Sequence, residues 1–161
     1  MAGFQFNTVA DIRVGAGAAQ QLGALCQQLG IAKPLIVTDP GLVQIGLLDS
    51  VRDGVARVYD EVSVFSAVTA DPSESVVEAA LHALRTASAD GVIGLGGGSS
   101  MDVAKVIAVL ATGQQSLPDL YGVDQVTSER FPLVLIPTTA GTGSEVTPVA
   151  VITTGATTKA G

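Results

Sequence analysis

Sulfur, aromatic and basic side chains are all scarce in this 161-residue chain: it has one cysteine, no tryptophan, 4% aromatics and eight Lys plus Arg. With fifteen Asp plus Glu the net charge is −7, and a binder of phosphate backbones needs a basic patch, so no nucleic-acid partner is expected. A single cysteine, Cys26, excludes an internal disulfide and suits the cytoplasm. It falls in an apolar helical pattern and reads as a small core residue rather than a nucleophile. No apolar run approaches the roughly eighteen residues that a membrane span requires, so no membrane partner is expected. The opening stretch MAGFQFNTVADIR has no basic region followed by an apolar run, so no secretory signal is expected either.

What is abundant is Val, Ile, Leu, Ala and Gly, with 47% hydrophobic residues and 19 glycines. That is the composition of an α/β protein whose interior is aliphatic and whose loops are glycine-rich. The length suits one domain with a real core, residues 1–161. Along the chain, Phe4–Asn7 and Asp11–Val14 read as short strands. Residues 15–30 read as a helix with Leu22, Leu25, Cys26 and Leu29 on one face. The run 34–39 is a buried strand ending in an acid; a helix over 41–53 and a strand at Arg57–Val62 follow. The segment 71–88 is the clearest helix, with Ser73 placed to cap it and Val76, Val77, Ala80, Leu81 and Leu84 as its apolar stripe. Strand, glycine loop and helix then repeat over 91–112, and residues 131–154 give a strand, a second glycine and hydroxyl loop, and a last strand. Strands alternating with helices imply a parallel sheet covered on both faces.

Chemistry concentrates at the C-terminal ends of predicted strands, where open α/β sheets bind ligands. Asp39 ends the first strand of the sheet. A carboxylate there either accepts both hydroxyls of an adenosine ribose, favouring NAD over NADP, or serves as a turn and cap residue before Pro40. Gly96, Gly97, Gly98 and Ser99 follow Val92–Leu95 and open a helix carrying Asp102 and Lys105. Missing side chains let a pyrophosphate approach the backbone, and free N–H groups at a helix start point at an anion. Ser99 can also cap that helix; the alternative is a tight turn that needs glycine for steric reasons. Residues 137–145, PTTAGTGSE, contain four hydroxyls and two glycines after an apolar strand, a dense donor loop. Gly15-Ala16-Gly17 also joins a strand to a helix, but the third fingerprint position falls at Gln20, whose bulk defeats close packing, so this turn reads as structural. The strongest glycine loop follows Asp39 by more than fifty residues, the reverse of a standard Rossmann order.

The stretches GGGSSMDVAKVIA, DLYG and PLVLIPTTAGTGSEVTPVAVIT together resemble the iron-dependent (group III) alcohol dehydrogenases, and the resemblance runs over essentially the whole chain. It implies a Rossmann-like, dehydroquinate synthase-like N-terminal domain that binds NAD, with NADP less favoured, and a reaction moving hydride between that cofactor and a small alcohol, aldehyde or hydroxyacid. By the resemblance, Asp39 meets the adenosine ribose, and Gly97, Gly98 and Ser99 meet the pyrophosphate. Thr138, Thr139, Thr142 and Ser144 line the adenine, phosphate and nicotinamide side, and Asp102 and Lys159 lie near the cofactor. Where the family has asparagine before Pro-Thr, this chain has Asp71. In the family an aspartate and three histidines in a helical C-terminal domain hold Fe²⁺ or Zn²⁺. Here the one histidine is His82, opposite its helix's apolar stripe, so no metal site and no catalytic residue is expected within this chain, which reads as the cofactor half of a two-domain enzyme, inactive alone and prone to self-association. Two rivals remain: GLGGGSS also resembles the ATP loop of small-molecule kinases, and a binding-only nucleotide domain would share the fold.

Overall fold

The computed structural model describes residues 8–155 and 158–160, with side chains through residue 155. Strands β1 (Pro34–Val37), β2 (Ser63–Phe65), β3 (Gly91–Gly96) and β4 (Leu133–Pro137) form one parallel sheet in the order β2-β1-β3-β4. The helices are α1 (Leu22–Gln28), α2 (Pro40–Gln44), α3 (Leu47–Ala56), α4 (Glu74–Thr86) and α5 (Gly98–Leu110).

Strand side chains alternate between faces, and two cores result. Leu35, Val37 and Val92 pack with Val77, Ala80 and Leu84 of α4 and Val103 and Ile107 of α5. Ile36, Ile93 and Leu95 pack on the other face with Leu22 and Cys26 of α1 and Leu48, Val51 and Val55 of α3. Each fully buried aliphatic of this kind contributes about 1.5–3 kcal/mol over its exposed state. The expectation of an α/β sheet with helices on both faces is therefore met.

Helix α5 is buried on nearly every side, including Met101, Ala104 and Ala108. It reaches the sheet because Gly94 has no side chain: a Cβ there would stand 2.8 Å from the Ala104 methyl and 2.8 Å from Leu135 Cδ2. The Asp90 carboxylate fixes the other end of the sheet, accepting from the backbone N–H of Ala32 at 3.0 Å and of Lys33 at 2.7 Å. These bonds hold the start of β1 beside β3.

Several local expectations are corrected. Phe4–Asn7 lies outside the described residues, and Asp11–Val14 forms no strand but an exposed segment without regular structure. The helix expected over 15–30 begins later, because Gly17 takes a left-handed φ of 74° and closes a turn before a 3₁₀ segment, Ala18–Gln21. Of its stripe, Leu22 and Cys26 are buried and Leu29 is exposed. The helix expected over 41–53 is two helices, broken where Gly46 takes a φ of 75°. The strand expected at Arg57–Val62 is instead β2, beginning at Ser63, since Val58 and Tyr59 still donate to Val55 and finish the helical turn. Ser73 holds the N-cap position of α4, but its hydroxyl bonds Ser75 Oγ rather than the helix backbone. The last strand, β5 (Ile152–Thr154), does not join the parallel sheet; it pairs antiparallel with β6 (Thr158–Ala160). Thr153 N–H donates to Pro72 O at 2.8 Å, docking this hairpin on the start of α4.

Candidate functional site

The chain leaves β1 towards β2 on one side and returns to place β3 on the other. That reversal is a topological switch point, and the crevice at the carboxyl ends of the two strands is where such sheets take ligands. Asp39 stands just beyond β1 and the glycine turn just beyond β3, so the sequence candidates converge there. The loop after β4, the next strand over, closes on them.

Asp39 takes the cap position that one of its two readings gave it. Its Oδ1 accepts from Leu42 N–H at 3.1 Å, capping α2, with Pro40 at the first helical position. Its Oδ2 points towards the glycine turn, 3.3 Å from where a Cβ on Gly96 would be. The glycines differ in what demands them. Gly96 has a φ of 149°, and a Cβ would stand 2.6 Å from Ser100 Oγ, so only glycine fits. Gly97 is extended (φ −77°, ψ −170°), a conformation open to any residue. What marks Gly97 is its neighbour: a Cβ there would meet Thr139 Oγ1 at 3.3 Å. A Cβ on Gly98 would lie 3.8 Å from Thr142 Cβ. Gly97, not Ser99, occupies the N-cap of α5, and Ser99 sits in the first turn. The first N–H groups of that helix have no intrahelical partners and open towards the crevice.

Residues 138–144 form a span over this turn. Thr138 N–H donates to Gly96 O at 2.9 Å, extending the β3–β4 ladder by one bond. Thr139, Ala140, Gly141 and Thr142 are exposed, with Gly141 at φ 92° and Gly143 at φ 67°. Thr142 Oγ1 donates to Glu145 Oε2 at 3.1 Å. Ser144 is buried, and its hydroxyl donates to Asp102 Oδ1. Asp102, itself 7% exposed, also accepts from Val151 N–H at 3.0 Å on Oδ2. Both carboxylate oxygens of Asp102 are thus bonded within the protein. Lys105, whose part the sequence leaves open, donates to Asp102 Oδ1 at 3.0 Å and to Ser144 O at 2.9 Å. The available signal was a lysine one turn after an aspartate on an otherwise apolar helix. The Lys159 backbone lies in β6 opposite Thr153, and its side chain is outside the described residues.

The crevice is now defined by its parts, and the comparison with known sequences decides its lineage. The sequence profile of iron-containing alcohol dehydrogenases matches residues 10–161. This chain belongs to the iron-containing alcohol dehydrogenase family. It is 38% identical to the 4-hydroxybutyrate dehydrogenase of Cupriavidus necator over 145 residues, 88% of this chain and 37% of that protein. It is 37% identical to the NAD-dependent methanol dehydrogenase of Bacillus methanolicus over 143 residues, 89% of this chain and 38% of that protein. Among solved structures, a 1,3-propanediol oxidoreductase superposes with a TM-score of 0.93 at 32% identity, covering 99% of this chain and 42% of the other. Sulfoacetaldehyde reductase from Bifidobacterium kashiwanohense, solved with NAD⁺, gives a TM-score of 0.88 at 29% identity, covering 99% of this chain and 43% of that one. The chain spans less than half the length of these relatives.

The family is iron-containing, and the described residues assemble no set of ligands that fits iron. Among the described residues no group of three or more His, Cys, Asp and Glu side chains is placed to hold a metal. His82 is exposed on α4, with Thr86 Oγ1 3.5 Å from its Nε2. Cys26 has no exposed surface, and burial pushes its thiol up to about 11, as fits a core residue and not a ligand or nucleophile. A dinucleotide fits better: the turn Gly96–Gly98 carries no side chain on the side that faces Thr139 and Thr142, and a Cβ at Gly97 would fill that space. The small-molecule-kinase alternative raised by GLGGGSS gives way, because one family accounts for both this turn and the threonine loop. Among the described residues no helix is long and apolar enough to cross a membrane.

Proposed function

We propose that this chain, residues 1–161, is the NAD(P)-binding domain of a two-domain, metal-dependent alcohol dehydrogenase that moves hydride between NAD and a small alcohol, aldehyde or hydroxyacid. The observation that carries the reading is the approach of Thr139 to Gly97 across the ends of β4 and β3, beside Asp39 at the end of β1. In this arrangement the Asp39 carboxylate accepts the ribose hydroxyls and disfavours the 2′-phosphate of NADP. Gly97, Gly98 and Ser99 offer backbone N–H groups and a hydroxyl to the pyrophosphate at the start of α5. Thr138, Thr139 and Thr142 border the same slot, and the family resemblance assigns Lys159, in β6, to the cofactor's neighbourhood. Gly96, Asp102 and Ser144 shape the slot. The nicotinamide supplies the reacting carbon and the protein positions it. Fe²⁺ or Zn²⁺, which polarises the alcohol oxygen, takes its ligands from outside these residues. We place the protein in the cytoplasm, as a homo-oligomer without nucleic-acid or membrane partners, in keeping with its net charge of −7.

Calorimetric titration of this chain with NAD, NADP and ATP tests the reading. Saturable binding of NAD, weaker binding of NADP and none of ATP is the expected result. An absence of NAD binding, or a preference for ATP, would overturn it.

A further inference from the structure

Lys105 lies on α5 one turn after Asp102, with its side chain only 12% exposed. Its ammonium has three hydrogens and four oxygens around it: Asp102 Oδ1 at 3.0 Å, Ser144 O at 2.9 Å, Thr147 O at 3.4 Å, and Val149 O. Three of the four are carbonyls of the segment that follows the threonine loop. Asp102 grips the same segment through Ser144 Oγ and Val151 N–H. The pair therefore forms one clamp between α5 and residues 144–151.

The span 139–143 runs between two anchors. The forward one is the Thr138 N–H bond to Gly96 O. The rear one is this clamp. In between lie exposed residues and the left-handed glycines Gly141 and Gly143, which lend the backbone no stiffness. The side-chain bond of Thr142 to Glu145 stays within the loop and ties it to nothing else. Among the described residues, the hydrogen bonds that tie residues 144–151, the rear of this span, to the rest of the fold are those of the clamp.

We propose that Lys105 is a positioning residue of the crevice: without touching the ligand, it holds down the rear of the threonine span and so sets the width of the slot over the glycine turn. The proposal rests on the reading of the crevice as a dinucleotide cleft. Its energetic basis is independent of that reading. Removing the ammonium takes the ion-pair partner from Asp102, whose side chain is 11% exposed, and the shared donor from three carbonyls of one segment, so that segment loses most of its side-chain ties to α5. The effect should be local to the phosphate side of the slot, because Asp39 is held by α2 and not by the clamp.

The test compares the parent chain with Lys105→Met and with Asp102→Asn/Lys105→Met, the second leaving no unpaired buried carboxylate should the first fail to fold. Two quantities are read: hydrogen exchange of the unliganded protein over 139–143 and over β3, and the affinities for ADP-ribose and adenosine. The expected result is faster exchange over 139–143 with β3 still protected, and ADP-ribose weakened roughly tenfold while adenosine binds as before. Unchanged exchange in the span would overturn the proposal. So would equal losses for ADP-ribose and adenosine, or loss of β3 protection in both variants, since each marks Lys105 as merely structural. Should the parent bind neither ligand, the dinucleotide reading fails while the exchange comparison still decides the clamp.

Discussion

A Cβ on Gly97 would stand 3.3 Å from the hydroxyl oxygen of Thr139, although the Gly97 backbone is one that any residue adopts. Substituting Gly97 therefore changes space and not backbone strain, and the variant Gly97→Val should fold. Its branched side chain would occupy the gap between the turn and the threonine span, where the proposed reading puts the pyrophosphate. We expect NAD binding to be abolished, with a circular dichroism spectrum like the parent's. Normal NAD affinity in this variant would reduce the glycine turn to a structural element.

Asp39 caps α2, and in the proposed reading it also meets the ribose; two substitutions probe the pair of roles. Asp39→Gly removes both the α2 cap and the carboxylate facing the glycine turn, while Asp39→Asn keeps an acceptor for the Leu42 N–H and removes the charge. Both should weaken NAD by roughly 1.5–3 kcal/mol, the worth of a charged hydrogen bond. Both should also raise the ratio of NADP to NAD affinity, measured by competitive titration. Equal affinities for NAD and NADP in the parent would remove the carboxylate from the ribose.

This chain should not oxidise alcohols when supplied with Fe²⁺ or Zn²⁺. The described residues assemble no metal cluster, and His82 is the sole histidine of the sequence. A nicotinamide held without a polarised alcohol beside it gains little from being positioned. Initial rates of NAD reduction with ethanol, 1,3-propanediol and 4-hydroxybutyrate, with and without metal, measure this. Metal-dependent turnover would show that a ligand set assembles in solution.

Alkaline pH gives a stability prediction. Burial raises the Cys26 thiol from 9.0 to about 11, so the folded chain keeps a proton that the unfolded chain releases. The stability tied to this difference is complete below pH 9 and is lost as pH rises towards 11. Tyr121, raised from 10.0 to about 12 by burial and by its bond to Glu74, acts in the same direction at higher pH. The melting temperature should fall across this window, and Cys26→Ala should remove part of the fall. Iodoacetamide should label Cys26 in urea and leave the folded chain unlabelled at about pH 8.5.

Ile12, Val14, Ile45 and Val123 are 61%, 93%, 73% and 76% exposed, a large apolar display for one short chain. Where exposed apolar residues form a contiguous patch, they drive association. Light scattering should report a dimer or larger species, and a clean monomer would remove the argument.

Much of the crevice was legible because strand ends, glycine runs and hydroxyl runs are local signals. Asp39, Gly97 and Thr139 each announce themselves within a few residues of a recognisable strand. The adjacency of their strands is a non-local fact, supplied by the family resemblance and not by any spacing. Other features depended on long-range bonds that no periodicity records. The family resemblance sets Asp102 and Ser144 beside the cofactor, and their mutual bond across 42 residues is a contact that no local signal shows. Both helix-boundary errors have their source in glycine: Gly17 and Gly46 take left-handed conformations inside stretches that the apolar pattern alone reads as continuous helix. Asp11–Val14 has alternation but no strand partner among the described residues, and alternation without a neighbour does not make a strand.

The register of the sheet has one more consequence. Val37 lies opposite Gly94, and Gly94 opposite Leu135, so Asp39, the glycine turn and the threonine span sit on three successive rungs of one lattice. Parallel strands repeat at about 4.8 Å, so the crossing from β1 to β4 is fixed at roughly 10 Å by backbone bonds alone. The crevice is in this sense a gauge with its graduations cut into the peptide skeleton. Side-chain replacement within the strands cannot lengthen it. A change in which nucleotide is accepted must therefore arise in the three loops, where graduations become jaws.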